Sequence, residues 1–175
     1  MPDIARDPAI LKRKKLRHAL YAAVGVHSGL PYRSAADLPS AFAAMSGDAG
    51  PLGLRSRKSC GAANDGPRIR TIVFHGDADN IVHPSNAASI VGAAKEGESI
   101  ERAEARHTAS RAHTRTVTRD KTGKVVAEQW LIHGSGHAWS GGSRDGTYTD
   151  PQGPDASSEM LRFFLEARLE LAGAE

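Results

Sequence analysis

A single cysteine, Cys60, stands among the 175 residues, so no internal disulfide can form. One cysteine neither requires nor excludes an oxidising compartment. Long apolar runs are also missing. No stretch approaches the ~20 residues that a membrane helix needs, so no membrane partner is expected. The apolar "YAAVGV" behind the early basic residues is too short for the core of a signal peptide and reads better as a strand. Aromatic residues amount to 5%, which sets off Trp130 and Trp139 on either side of His137. A strong charge of one sign is lacking too. The net charge is +3, and the run "KRKKLRH" at 12–18 holds five Lys and Arg, so the remainder carries −2. A basic groove for nucleic acid is not expected in the body of the chain.

What is present is the composition of one globular domain. Hydrophobic residues make up 39% and charged residues 25%, enough for a core at this length. "YAAVGVHSGLPY" reads as a buried parallel strand and its exit loop. "SAADLPSAFAAM" reads as a loop and a short helix capped by Asp37 or Ser40. "TIVFHG" is a β-branched run ending at Gly76, again a buried strand. "HPSNAASIVGAAK" predicts a helix with Ser85 or Asn86 as cap and Gly97 near its end. Residues 97–111 read as a polar link to a hairpin, whose strands are "AHTRTVTRD" and "KVVAEQWLIHG". A last helix is predicted in "PDASSEMLRFFLEARLELAGAE", with Asp155 or Ser157 as cap and Met160, Leu161, Phe164, Leu165 and Leu169 on its apolar face. "DPAILKRKKLRHAL" suggests a weak helix with little apolar surface. The order of strands and helices is that of an α/β layered domain.

Chemistry concentrates at two strand ends. "HGDADNIV" sets Asp77 and Asp79 just past one strand, and "GSGHAW" sets His137 past another, 58 residues after Asp79. Sites in open α/β sheets form at that edge, because the strand-to-helix loops converge there. A carboxylate there can orient an imidazole and stabilise its protonated form during acyl transfer. Aspartate and then histidine, each after a strand, is the order of the last two members of a Ser–Asp–His triad in the α/β-hydrolase arrangement.

Five segments, "YAAVGVHSGLPY", "DLPSAFAAM", "TIVFHGDADNIVHPSN", "EQWLIHGSGHAWSGG" and "YTDPQGPDASSEMLRFFLE", resemble the C-terminal half of the polyhydroxybutyrate depolymerase family esterases. These exported α/β-hydrolases are related to feruloyl and acetylxylan esterases. By that resemblance Asp79 is the triad acid and His137 the base, whereas Asp77 holds a variable place. The implied fold is the C-terminal part of an α/β-hydrolase, with about three parallel core strands, a hairpin and flanking helices, its N-terminal strands missing. Residues 19–171 would form that portion, and residues 1–18 a divergent basic segment. The implied substrate is an ester, either a polyhydroxyalkanoate or an acylated polysaccharide, and the implied location is extracellular. No cofactor and no metal are implied.

The resemblance fails at one point. The family places a "G-L-S-A-G-G" nucleophile elbow before the strand matching "YAAVGVHSG", where this chain has "MPDIARDPAILKRKKLRHAL", without a serine. The oxyanion loop is missing as well. The expectation is a truncated esterase, inactive alone, or one half of a split hydrolase completed by an N-terminal-half partner. A non-enzymatic binder descended from an esterase is the rival reading. Ser28 and Ser135 are read as loop hydroxyls, Cys60 as inert, and His133 with His137 as no metal pair. Trp139 is read as a wall of the substrate pocket and Trp130 as core.

Overall fold

The structure, a computed structural model, describes residues 23–47, 69–92, 99–107 and 110–172. Its frame is a five-stranded mixed sheet. Strands β1 (Ala23–His27), β2 (Arg70–Gly76) and β5 (Val125–Ile132) run parallel, and β4 (Ser110–Arg119) and β3 (Ser99–His107) continue the sheet antiparallel, in the order β1-β2-β5-β4-β3. The α/β class and the β4–β5 hairpin agree with the sequence pattern.

Central β2 is buried on both faces because its two side-chain rows serve two different layers. Ile72 and Phe74 join Trp130, Ile132, Ala156, Met160 and Phe163 on one face. Val73 joins Ala87, Val91 and Ala127 on the other. The first face is covered by helix α3 (Ala156–Ala172) and the second by α2 (Ser85–Gly92). Trp130 is core, as its strand position implied. Gly25 admits α3 against β1, since a Cβ there would lie 2.8 Å from Met160 Sδ.

Helix α1 (Leu38–Met45) starts as its sequence suggests. Asp37 accepts the Ser40 N–H at 2.8 Å and the Ser40 hydroxyl accepts the Asp37 N–H at 3.0 Å, a reciprocal capping box. Two short strands, β6 (Trp139–Ser140) and β7 (Thr149–Asp150), form a separate parallel pair.

Three expectations are corrected. Residues 97–111 are not a polar link: Ser99–His107 is a strand paired with β4 from Ser99↔Arg119 to His107↔Ser110. Its polar residues suit an edge strand with little to bury, which hides the period-2 signal. Neither Ser85 nor Asn86 caps α2. His83 Nδ1 accepts the Ser85 N–H at 3.2 Å, while Asn86 sits inside the helix and donates to Ala44 O at 2.9 Å, tying α2 to α1. The apolar face of α3 is turned in part from the expected one: Met160 is buried and Phe164 packs against the core, as expected. Phe163 is fully buried, whereas Leu161 and Leu165 are 61% and 56% exposed. The Asp155 cap holds, since its carboxylate accepts the Ser158 N–H at 3.0 Å. The N-terminal helix, Gly97 and the side chain of Leu169 lie outside the described residues.

Candidate active site

Strands β1, β2 and β5 end side by side, with His27 opposite Phe74 and Gly76 opposite Ile132. The loops that leave them therefore meet. Gly76 is required there, because a Cβ would strike the Ser135 carbonyl of the neighbouring loop.

Asp79 and His137, read from the sequence as acid and base, are brought together. Asp79 Oδ2 accepts from His137 Nδ1 at 2.8 Å, and Asp79 Oδ1 accepts the N–H groups of Ile81 and Val82 at 2.9 Å each. Those two backbone bonds hold the carboxylate independently of the imidazole. Behind it, fully buried His75 donates through Nε2 to Val82 O at 2.7 Å, with the same nitrogen 3.4 Å from Asp79 Oδ2. Its Nδ1 is buried and has no hydrogen-bond partner among the described residues.

Burial alone would raise the Asp79 carboxyl, but the Val82 N–H, His137 and the Ile81 N–H together hold it below its ordinary value. An ionised Asp79 keeps the proton of neutral His137 on Nδ1, leaving the Nε2 lone pair free. The Asp79 side chain is completely buried and that of His137 is 29% exposed. Among the described residues no group bonds His137 Nε2. The ring is positioned, polarised and open to a proton donor.

A second pair lies beside the first. Asp77 Oδ2 accepts from His133 Nδ1 at 2.8 Å, and Asp77 Oδ1 accepts the Gly134 N–H at 2.7 Å. Burial would raise Asp77, and His133 with the Gly134 N–H outweighs it, so this carboxyl too sits low. Here, however, Nε2 is already 2.9 Å from the Thr114 hydroxyl on β4. Both ring nitrogens of His133 are spent, which leaves His137 as the available base. The pair clamps the start of the glycine-rich loop to β2.

The remaining candidates fall as follows. Ser135 is buried and donates to Asp150 Oδ2 at 2.8 Å, which also receives Arg111 Nε at 2.5 Å. Ser28 is buried, has φ 48°, and its hydroxyl lies 3.2 Å from His27 Nδ1. Neither hydroxyl bonds His137. Trp139 is 39% exposed, stacks on His27 with ring centroids 4.8 Å apart and donates from Nε1 to Ser157 Oγ at 3.2 Å. One part of that ring is free to wall a pocket and another is committed to the protein. Tyr148, which the sequence did not single out, meets His137 edge-on at 6.4 Å. Among the described residues no cluster of His, Cys, Asp or Glu is placed to hold a metal ion. Cys60 and the run Lys12–Arg17 lie outside the described residues.

His27 and His75 escaped the sequence reading. Both stand at or one residue before the last position of a parallel strand, at the same sheet edge whose loops carry Asp79 and His137, and nearness to that edge was the usable signal. No family model matches the chain, and no curated protein matches it.

Proposed function

We propose that this chain supplies the acid and base of a carboxylic ester hydrolase that works by a Ser–Asp–His mechanism in an α/β-hydrolase arrangement. The type is that of the polyhydroxybutyrate depolymerase and feruloyl or acetylxylan esterases. The observation that carries the reading is the buried Asp79 on Nδ1 of a partly exposed His137 whose Nε2 is bonded by none of the described residues. A serine hydroxyl attacks the ester carbonyl carbon while His137 Nε2 takes its proton. The imidazolium, stabilised by Asp79, returns that proton to the departing alcohol, leaving an acyl-enzyme. Water then repeats the cycle and releases the acid. No described hydroxyl hydrogen-bonds His137, so the nucleophile comes from outside the described residues, and an N-terminal-half partner chain is the proposed source of it and of the oxyanion amides.

The test is intact-mass spectrometry after fluorophosphonate treatment, with His137→Ala alongside. The chain is assayed alone and complexed with a serine-bearing N-terminal half of a polyhydroxybutyrate depolymerase family esterase. The expected result is no adduct on the chain alone and p-nitrophenyl butyrate hydrolysis by the complex that disappears in His137→Ala. A formed complex without His137-dependent hydrolysis would sink the reading. An adduct on Ser28 of the chain alone would move the nucleophile into this chain.

A further inference from the structure

His27 is the last residue of β1, and Ser140 of β6, which it touches, is 113 residues away. Its Nε2 accepts the Ser140 N–H at 3.0 Å. Its ring stacks on Phe74 at 5.9 Å with planes 7° apart and on Trp139 at 4.8 Å with planes 23° apart. Its Nδ1 lies 3.2 Å from Ser28 Oγ. These bonds specify the state of the ring. A backbone N–H can only donate, so Nε2 must carry a lone pair, and the proton of the neutral imidazole resides on Nδ1 and is given to the Ser28 hydroxyl.

The consequence falls on His137. The loop carrying it is rich in glycine, with Gly134 and Gly141 at φ 71° and 75°, and so has little stiffness of its own. Its entry is fixed by Asp77 on the Gly134 N–H and by Ser135 on Asp150. Its exit is held at β7, through the Trp139 N–H on Tyr148 O at 2.7 Å and the Gly141 N–H on Asp150 O at 2.9 Å, and by His27, through the Ser140 N–H and the face of Trp139. His137 sits between entry and exit. Its approach to Asp79 is therefore set from β2 and β7 and, through His27, from the end of β1.

We infer that His27, in its neutral Nδ1-protonated form, is a positioning residue for His137, holding the base against Asp79 from the end of β1. The inference deepens the esterase reading and rests on His137 being the base. The same environment opposes a charge on His27. Burial comes first, then His75 and His137, and these outweigh Asp79 to lower its pKa to about 4, so the acceptor at Nε2 persists across the neutral range.

The test is nuclear magnetic resonance on the full chain. Ring ¹⁵N shifts at pH 7 in the unsubstituted protein should show His27 neutral with its proton on Nδ1. A charged ring, or one protonated on Nε2, overturns the inference without any variant. The downfield proton of His137 Nδ1–H then reports the Asp79 bond. His27→Phe keeps an aromatic stack but offers no acceptor, so this resonance should be lost or exchange at least tenfold faster in a variant that is still folded. In His27→Asn, whose side-chain oxygen can accept the Ser140 N–H, it should partly return. An unchanged resonance in His27→Phe reduces His27 to packing. If the resonance is missing from the unsubstituted chain, the Asp79–His137 pair itself fails. If it responds to His27 as expected while no complex hydrolyses ester, the positioning role stands and the esterase reading falls.

Discussion

Asp79 divides its two oxygens between tasks, one holding backbone and the other holding His137. Asp79→Asn keeps the size and removes the charge, so nothing would fix the His137 proton on Nδ1 or balance an imidazolium. In a complex supplied with a nucleophile, kcat should fall by about 10⁴ with KM nearly unchanged, which steady-state kinetics on p-nitrophenyl butyrate would check. His27 gives a separate prediction in stability. Its proton binds near 6.5 in the unfolded chain and near 4 in the fold. The unfolded state therefore holds the extra proton between those values. The contribution of neutral His27 is full above pH 6.5 and drains as pH falls toward 4, by about 3 kcal/mol. Its charged and titratable neighbours are Asp79, His75 and His137. Asp79 and Glu128 are held low, so what they contribute is lost at more acid pH, below the ordinary carboxylate range. Urea unfolding at pH 7 and 4.5 should show the loss in the natural chain and little of it in His27→Phe.

At the scale of elements, helix α3 shows what sequence periodicity can and cannot deliver. The helix and its Asp155 cap are visible as a run of apolar residues behind an acidic residue. Which face packs is not, because Phe163, Phe164, Leu161 and Leu165 offer two overlapping stripes. The sheet selects Phe163, whose ring lies under the Arg70 guanidinium at 4.4 Å. Phe163→Ala should cost about 3–5 kcal/mol and Leu161→Ala less than about 1 kcal/mol, measurable by denaturant unfolding. β2 was legible for the opposite reason, since a β-branched run buried on both faces needs no partner to be recognised. β3 was not, because charged residues on an edge strand leave no alternation, and its order comes from the ladder with β4. Asp79 and His137 were legible from their order after strands. Partners set by register were hidden, His27 with Ser140 above all, because no local pattern encodes a bond across 113 residues. The same holds for Glu128. It is 1% exposed, yet Arg115 at 2.7 Å, Arg162 at 2.8 Å and the Trp130 Nε1–H at 3.3 Å satisfy it. Arg162→Leu would strip one cation from this buried carboxylate and should destabilise the fold by about 3 kcal/mol.

For the whole molecule, the decisive feature is the position of β1. Among the described residues it is a sheet edge, formed by a parallel strand of five residues with Val24 41% exposed. Leu38 and Phe42 on α1 are also open, at 74% and 63%. A parallel edge with apolar residues presents its N–H and C=O groups to any strand that arrives. The chain alone should therefore self-associate, with a weight-average mass in sedimentation velocity that rises with concentration. Val24→Lys should suppress this while leaving the fold intact, and a monomer at every concentration would show the edge to be covered. The central stack has an optical consequence as well. Trp139 faces His27 and Trp130 faces His113 at 5.0 Å, so each of the chain's two indoles has an imidazole as its neighbour. Protonated imidazole quenches indole emission far better than the neutral ring. With Trp130→Phe in place, the remaining fluorescence becomes a private signal from the end of β1, dimming as acid reaches His27 while the rest of the molecule stays dark.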